Sequence, residues 1–298
     1  MTSSLALRAA QFREQNSAGR LLLPNAWDAA SARIFEEAGF SAIGTTSAGI
    51  AYAEGYQDAE QIDRNTMVRA IAKIVKVVSV PVTADIEGGY GPRPADVAQT
   101  VGDVLDAGAV GINLEDTAHY SGPAALFGLD EQCERIGAAR DAASRRGVPL
   151  VINARTDTFL LNLGATVDER MAITVDRGAR YLAAGADLLF VPLLVDPSIV
   201  KRIVSQLRGS ISLMALPGAP AAEELFAAGA ARISIGQMAM LATLGLLKRI
   251  GEELRTHGTW RSIESTFYGF AEAEALFSRD RVVKRDRVVK EVGAAVDR

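Results

Sequence analysis

The fold is decided by a short recurring pattern, whose clearest copy reads Val104-Leu105-Asp106-Ala107-Gly108-Ala109-Val110-Gly111-Ile112-Asn113-Leu114-Glu115. A helical stretch ends at an Ala-Gly pair, and the apolar run that follows ends in polar residues. The glycine suits the positive φ angle that closes a helix before the chain enters a buried strand. The pattern recurs around Ala38-Gly39-Phe40, Ala184-Gly185-Ala186 and Ala228-Gly229-Ala230. Each copy therefore marks one step from a helix to a strand.

Working outward from these marks, we predict eight short apolar strands separated by amphipathic helices. Such connections suit parallel strands with right-handed crossovers, so the predicted fold is an α/β protein of the (β/α)8 TIM barrel type. An open doubly wound sheet is the alternative, but it would normally carry a glycine-rich fingerprint where this chain has Pro24-Asn25-Ala26-Trp27-Asp28. The predicted strands are Leu21–Pro24, Ala42–Thr45, Val82–Asp85, Gly111–Leu114, Leu150–Ala154, Leu188–Val191, Ser212–Met214 and Arg232–Ile235.

The chain continues after the eighth predicted strand with more helix than a barrel needs. We predict one long helix at Met238–Arg255 and a second from about Ile263 to Phe277. The division that follows is a barrel catalytic domain at residues 1–255 and a C-terminal helical extension at residues 256–298. The last twenty residues repeat Asp-Arg-Val-Val-Lys at 280–284 and 286–290, a charged pattern that is typical of helix.

Composition excludes several classes of protein. Hydrophobic residues make up 49% of the 298 and charged residues 23%, which indicates a soluble chain with a sizeable core. The net charge of -4 provides no basic field, so we expect no nucleic acid partner. Cys133 is the only cysteine, which excludes an intrachain disulfide and a cysteine-based metal site and suits a reducing cytoplasm. No leader pattern and no run of 18 apolar residues occurs, so we expect neither export nor membrane insertion.

Polar residues follow the third, fourth and fifth predicted strands. In barrels of this type the catalytic groups lie at the carboxyl ends of the strands. Because side chains alternate along a strand, residues two positions apart can share a face. The pairs so placed are Asp85 with Glu87, Asn113 with Glu115, and Asn153 with Arg155.

The three carboxylates among these residues predict a cation. Asp85, Glu87 and Glu115 would repel one another in an apolar barrel mouth, and leaving them unpaired costs too much free energy. Oxygen ligands without histidine or cysteine favour Mg²⁺, or alternatively Mn²⁺, over Zn²⁺. The alternative is that these carboxylates only cap helices or pair with surface arginines.

Arg155 ends an apolar strand, where a guanidinium needs an anionic partner. Its planar fork matches a carboxylate, so we predict that it binds the carboxylate of a substrate; the alternative is a buried pair with Glu115 or Asp157. Thr45, Thr46 and Ser47 follow the second strand and offer hydroxyls and backbone N–H groups to the other oxygens of an anion.

These motifs resemble the isocitrate lyase and phosphoenolpyruvate (PEP) mutase superfamily. The resemblance runs in the same order over roughly residues 20–245. The matching segments are Leu23-Pro24-Asn25-Ala26-Trp27-Asp28, Ile43-Gly44-Thr45-Thr46-Ser47, Ala84-Asp85-Ile86-Glu87-Gly88-Gly89-Tyr90-Gly91, Gly111-Ile112-Asn113-Leu114-Glu115-Asp116 and Asn153-Ala154-Arg155-Thr156-Asp157.

The resemblance implies a barrel whose eighth helix is exchanged between the subunits of a homodimer or homotetramer. It also implies Mg²⁺ bound directly by Asp85 and through waters by Asp58, Glu87 and Glu115. The implied substrate is a small carboxylate held by Arg155 and the loop of Thr46 and Ser47. The resulting substrate-binding candidates are Trp27, Thr45, Thr46, Ser47, Asn153 and Arg155, and the catalytic candidates are Asp58, Glu115, Arg155, His119 and Tyr120.

The loop of residues 117–128 departs from the superfamily. The lyases have a Lys-Lys-Cys-Gly-His segment there, and the mutase and hydrolase also have a lysine, whereas this loop contains neither lysine nor cysteine. Cys133 comes too late and is predicted to lie on a helix. His119 and Tyr120 are the side chains in the loop that could transfer protons, although a loop histidine is often only solvated.

The function predicted from these residues is that of an Mg²⁺-dependent carbon–carbon lyase or decarboxylase. Its substrate would be a small 2-hydroxy or 2-oxo di- or tricarboxylate, which reacts through a pyruvate-like enolate that the cation stabilises. One alternative is phosphonate chemistry, as a phosphomutase or a phosphonopyruvate hydrolase. Another alternative is a catalytically silent protein that binds oxo acids.

Overall fold

The computed structural model of the chain describes residues 4–119 and 125–278. Within these residues the strands are β1 (Leu21–Leu23), β2 (Asn25–Ala26), β3 (Ile43–Thr45), β4 (Val82–Asp85), β5 (Gly111–Glu115), β6 (Thr117–Ala118), β7 (Ala125–Leu126), β8 (Val151–Arg155), β9 (Leu188–Val191), β10 (Ser210–Met214) and β11 (Ala230–Ser234). The helices are α1 (Ser4–Ser17), α2 (Ala29–Glu37), α3 (Ser47–Ala53), α4 (Arg64–Val77), α5 (Pro94–Asp106), α6 (Leu129–Arg145), α7 (Val167–Ala183), α8 (Pro197–Gln206), α9 (Ala222–Ala227), α10 (Met238–His257), α11 (Arg261–Glu264) and α12 (Phe270–Phe277).

The parallel strands form a nearly closed barrel in the order β1-β11-β10-β9-β8-β5-β4-β3-β2. The barrel is joined at Pro24, where one extended segment is divided: β1 pairs with β11 and β2 pairs with β3. Proline has no N–H to donate, so it suits the point at which the segment changes partner. Asn25 supports the join, because its Oδ1 accepts from the backbone N–H groups of Ile235 and Gly236 at 3.0 and 2.9 Å. All eight predicted strands and the α/β barrel are confirmed.

The glycines of the Ala-Gly pattern have the positive φ angles that the sequence predicts. The glycines of its four copies, Gly39, Gly108, Gly185 and Gly229, have φ angles of 90°, 91°, 115° and 107°. Helix α1 covers the amino end of the barrel, where Phe12 is fully buried. Arg13 on the same helix donates to the carbonyl of Leu150 at 2.9 Å and pairs with Asp187 at 2.6 Å. The local pattern therefore sets the helix–strand order, and α1 closes the end of the barrel opposite the carboxyl ends of its strands.

The C-terminal extension differs from the prediction in one respect. The long helix is confirmed as α10, but the prediction of one continuous second helix was wrong, because α11 and α12 are separate. Thr266 follows α11 and its hydroxyl donates back to the carbonyl of Ser262 at 2.9 Å, a local bond that competes with continued helix. Gly269 then takes an extended conformation before α12. No exchange of a helix between subunits is shown by the single chain.

Two further features concern the loop and the helices. The ends of the 117–128 loop form a short antiparallel ribbon of β6 and β7, which the sequence did not predict. Residues 120–124 and the repeat-containing tail from residue 279 lie outside the described residues. Within the described ranges, every helix is too short or too polar to cross a membrane.

Candidate active site

A cavity of about 260 Å³ lies at the carboxyl ends of β4, β5 and β8. This is the end of the barrel at which catalytic groups are expected. The cavity contains both carboxylates and cationic side chains, so it suits a charged ligand. Its walls are formed by Ser47, Asp58, Ala59, Glu87, Glu115, Thr117, His119, Arg155, Asp157, Leu160 and Leu161.

Asp85 adjoins this cavity through Ser47. The backbone N–H and the hydroxyl of Ser47 both donate to Asp85 Oδ2, at 3.0 and 2.7 Å. The backbone N–H of Asp85 donates in turn to Thr45 Oγ1 at 2.9 Å. Because both bonds from Ser47 reach one oxygen, Oδ1 is left for another ligand within the part of the chain that the structure describes.

Glu87 is 3% exposed and reaches the cavity from a turn beyond the end of β4, with a φ of 51°. Strand alternation predicts from the sequence that Glu87 faces the cavity, whereas in the structure the left-handed backbone at Glu87 sets its direction. Its carboxylate accepts from the N–H of Glu60 at 2.5 Å and from the hydroxyl of Tyr90 at 3.2 Å. Burial, followed by the charges of Glu115 and Asp58, raises the pKa of Glu87 to about 8.

Glu115 joins two cationic side chains at the end of β5. Its Oε2 lies 2.5 Å from Arg155 Nη1, and its Oε1 lies 2.5 Å from His119 Nε2. Burial raises the pKa of Glu115 to about 7, although Arg155 and His119 oppose the shift. For His119, burial lowers the pKa, but the hydrogen bond and charge of Glu115 outweigh it and raise the pKa above its ordinary value. The short contact between Oε1 and Nε2 therefore couples the proton affinities of Glu115 and His119.

Arg155 is paired on both sides. Besides Glu115, it contacts Asp157 through two bonds, from Nε at 2.7 Å and from Nη2 at 3.1 Å. Burial opposes the charge of Arg155, but Glu115 and Asp157 outweigh this effect and raise its pKa. The structure therefore shows the contacts of the alternative prediction, because Arg155 pairs with both Glu115 and Asp157. The guanidinium still lines the cavity, so the pair also positions it towards a ligand.

Asp58 lines the rim of the cavity at the end of an exposed segment of the chain. Its pKa is raised, first by the loss of water around the carboxylate and then by the charge of Asp85, against a hydrogen bond from Ala59. Asp58 was expected only from the resemblance, and the fold brings it within electrostatic range of Asp85, Arg155 and His119.

The residues fit a hard divalent cation that keeps some of its waters. The available donors are carboxylate oxygens, which Mg²⁺ prefers. Burial and then the neighbouring carboxylates raise the pKa of Glu87, and a cation would relieve the repulsion between these carboxylates. Across residues 4–119 and 125–278, no three acidic, histidine or cysteine side chains converge as a ready-made direct metal site. Carboxylate oxygens of Asp58, Glu87 and Glu115 line the cavity and Asp85 adjoins it, so the chemistry of these donors fits such a cation.

Several predicted binding residues have structural partners instead of a place in the cavity wall. Thr45 accepts from Asp85, and Thr46 caps α3 by accepting from the N–H of Gly49 at 3.3 Å. Asn153 donates to Asn113 Oδ1 at 2.9 Å, and these two residues form a pair two positions before Glu115 and Arg155 on the same strands. Trp27 packs against the hydrophobic core. Tyr120 lies outside the described residues.

The cavity also contains residues that the sequence argument did not select. Asp157 was considered only as a partner of Arg155, and its place two positions after Arg155 was the available signal. Thr117 is buried and donates to Asp157 Oδ2 at 2.5 Å. Leu160 and Leu161 supply an apolar wall, and nothing in their local sequence marks them.

Comparison with known proteins identifies relatives along most of the chain. The family described as phosphoenolpyruvate phosphomutase matches residues 12–255. An uncharacterised protein of Mycobacterium tuberculosis is 34% identical over 224 residues, covering 75% of this chain and 80% of that protein. The 2-methylisocitrate lyase of Salmonella typhimurium is 30% identical over 203 residues, covering 66% and 64%.

The fold recurs in solved structures, among them a 2,3-dimethylmalate lyase described as a PEP mutase/isocitrate lyase superfamily member, which is 26% identical with a TM-score of 0.77 and covers 97% of this chain and 98% of that one. A phosphonopyruvate hydrolase crystallised with oxalate and Mg²⁺ superposes with a TM-score of 0.79 at 24% identity, covering 95% of this chain and 98% of that one. The shared barrel agrees with the family match over residues 12–255. The chain therefore belongs to the phosphoenolpyruvate phosphomutase family and is an enzyme of the PEP mutase/isocitrate lyase superfamily.

Proposed function

We propose that the chain is an Mg²⁺-dependent carbon–carbon lyase or decarboxylase that acts on a small 2-hydroxy or 2-oxo di- or tricarboxylate. The observation that supports this most is the buried group of Glu87, Glu115 and Arg155, which combines a site for a cation with a site for an anion. The Mg²⁺ and oxalate of the related hydrolase, and the activity of the 2-methylisocitrate lyases, agree with the proposal.

Each side chain has a role that its contacts support. Asp85 would hold the cation directly, and Asp58, Glu87 and Glu115 would hold it through waters. When bound, Mg²⁺ would supply positive charge to the oxygens of an oxo-acid enolate. Arg155, held in place by Glu115 and Asp157, would bind the substrate carboxylate.

Proton transfer in this proposal belongs to the pair of His119 and Glu115. The pair lies in the cavity wall with Nε2 and Oε1 2.5 Å apart, which is within hydrogen-bonding distance. Such a pair can accept a proton from a hydroxyl or return one to carbon as the bond breaks. The 117–128 loop contains neither lysine nor cysteine, so the pair of His119 and Glu115 takes the place of those side chains in proton transfer. The missing lysine also counts against phosphonate chemistry.

The first test is an activity and binding assay on purified protein with Mg²⁺. We expect release of a 2-oxo acid from malate-type or isocitrate-type substrates, and we expect Asp85→Ala to abolish turnover and to weaken both Mg²⁺ and oxalate binding at least about tenfold. Asp168→Ala changes an exposed carboxylate away from the cavity and serves as the matched control.

The other outcomes identify the alternatives. Unchanged Mg²⁺ and oxalate affinity in Asp85→Ala would contradict the proposed site. Phosphate or phosphoenolpyruvate formed from phosphonopyruvate would support the phosphomutase or hydrolase. Tight binding without turnover of any of these acids would support the silent oxo-acid-binding protein.

We also propose that the C-terminal helices pack against a second copy of the chain, as a homodimer or homotetramer. Met240 is the one buried residue among the twenty of α10, although the helix is rich in leucine. Phe270 at the start of α12 is 80% exposed. Large exposed apolar surfaces of this kind normally mark an interface.

A further inference from the structure

Arg232 is a buried cation that the mechanism above does not use. It lies on β11, is 1% exposed, and points into the barrel, where its Nη2 donates to Asn113 Oδ1 at 3.3 Å. Its Nε and Nη1 have no hydrogen-bond partner among the described residues. No carboxylate in the described ranges forms an ion pair with it.

The neighbours of Arg232 place it beneath the cavity. Asn113 also accepts from Asn153, so a polar layer links Arg232 to β5 and β8. Asn113 and Asn153 form a pair two residues before Glu115 and Arg155 on the same strands, and the latter two face the cavity. On the other side, the ring of Phe12 lies 6.0 Å from the guanidinium carbon and separates Arg232 from solvent.

Arg232 stays charged despite its surroundings. Burial lowers its pKa to about 10, and the charge of Asp85 opposes the shift. The guanidinium is therefore protonated at neutral pH. It interacts with Asp85, the carboxylate that we propose as a direct ligand of the cation. A buried charge without an ion-pair partner is costly for stability, so its retention calls for another explanation.

We propose that Arg232 is a specificity-determining residue, whose fixed positive charge beneath the cavity favours ligands that carry two negative charges. The inference rests on the proposed function and names the charge class of its substrate. A charge in a poorly hydrated interior acts over several ångströms, so the same guanidinium attracts a dianion and repels a divalent cation. The two effects have opposite signs, whereas damage to the fold would weaken the binding of both ligands.

The experiment compares three variants by calorimetry with Mg²⁺ alone, and then with oxalate or oxamate at saturating Mg²⁺. Oxamate resembles oxalate but carries one negative charge fewer. In Arg232→Met we expect Mg²⁺ to bind a few-fold more tightly and oxalate on the order of tenfold more weakly, with a smaller loss for oxamate. Arg232→Gln, which still offers an N–H to Asn113, should show the same opposite changes. Arg232→Lys keeps the charge and should restore most of the preference for oxalate over oxamate.

The outcomes separate this inference from the proposed function. We expect the melting temperature of Arg232→Met to be no lower than that of the wild type, because an unpaired buried charge has been removed. If the wild type binds Mg²⁺ and oxalate but both neutral variants keep its affinities, or lose affinity for both ligands together, the role of Arg232 is overturned and the proposed function stands. If the wild type binds neither ligand, the proposed function fails and the inference fails with it.

Discussion

Glu87 and its neighbours have backbone conformations that residues other than glycine rarely adopt. The φ angles of Ala59, Glu60, Glu87 and Tyr90 are 74°, 53°, 51° and 60°. Contacts connect three of them, because Glu87 accepts from Glu60 and Tyr90, and the N–H of Tyr90 donates to Glu60 Oε1 at 3.0 Å. Such strain costs about 1 kcal/mol or more per residue and is usually found where function requires it. Here the left-handed backbone at Glu87 turns its buried carboxylate towards the proposed cation site.

The buried carboxylates predict how stability depends on pH. The pKa values of Glu87 and Glu115 in the folded protein, about 8 and about 7, lie above the ordinary value of 4.5. A group whose pKa is raised on folding contributes stability that is fully present below the ordinary pKa and is lost as the pH rises through the folded pKa. We therefore expect metal-free protein to melt at a lower temperature at about pH 9 than at about pH 6, and Mg²⁺ to stabilise it more at the higher pH.

Thermal unfolding with and without Mg²⁺ at the two pH values tests this prediction. Glu87→Gln is the informative variant, because it removes the group with the higher pKa and should reduce the pH dependence of the metal-free protein. An Mg²⁺ stabilisation that is the same at both pH values would show that these carboxylates do not hold the ion.

Helix α6 supports the site from behind. Arg135 on this helix is fully buried and donates to the carbonyl oxygens of Gly88, Gly91 and Pro92, the turn that carries Glu87 and Tyr90. Gln132, one turn earlier, donates to the carbonyl of Glu115 at 3.1 Å. One helix therefore fixes both the turn after β4 and the end of β5.

The role of α6 predicts a coupled loss of stability and metal binding. In Arg135→Met the three carbonyl oxygens lose a donor, which should lower the free energy of unfolding by about 3 kcal/mol. Because the turn that carries Glu87 is then less constrained, Mg²⁺ affinity should also fall. Chemical denaturation and calorimetry measure the two effects. Arg145→Met, an exposed change on the same helix, should stay within about 0.5 kcal/mol of the wild type. Unchanged Mg²⁺ affinity in Arg135→Met would show that the turn holds its shape without α6.

The chain as a whole consists of a barrel and an apolar set of helices that the barrel does not cover. Leu247 and Leu254 on α10 are 56% and 47% exposed and lie seven positions apart, on one face of the helix. Trp260 and Phe267, in the segment after α10, are exposed as well. This distribution suits a chain that completes its hydrophobic packing in an oligomer.

The oligomeric state can be tested directly. We expect wild-type protein to sediment as a dimer or tetramer, and the double variant Leu247→Asp with Leu254→Asp to dissociate, because two charges would be buried at the interface. Lys248→Asp changes an exposed residue on the same helix and is the control. A monomeric wild type in sedimentation velocity would contradict the proposed packing.

The barrel itself could be predicted from the sequence because its signals are local. Each Ala-Gly pair ends a helix, and each apolar run is a strand whose polar end lies at the functional face, so the eight strands and the places of Asp85, Glu115 and Arg155 follow from short stretches. The break between α11 and α12 was missed, because it depends on one hydroxyl bond and one glycine within an otherwise helical pattern.

The tertiary structure alone decided which side chains meet. Asp157 pairs with Arg155, Glu87 turns inward from a left-handed residue, and Arg232 reaches Asn113 across the barrel. Arg232 and Asn113 are 119 positions apart, and only closure of the sheet brings them together. Local periodicity carries information about the conformation of neighbouring residues, whereas pairing between distant strands and the charge balance inside the barrel depend on the register that the closed sheet imposes.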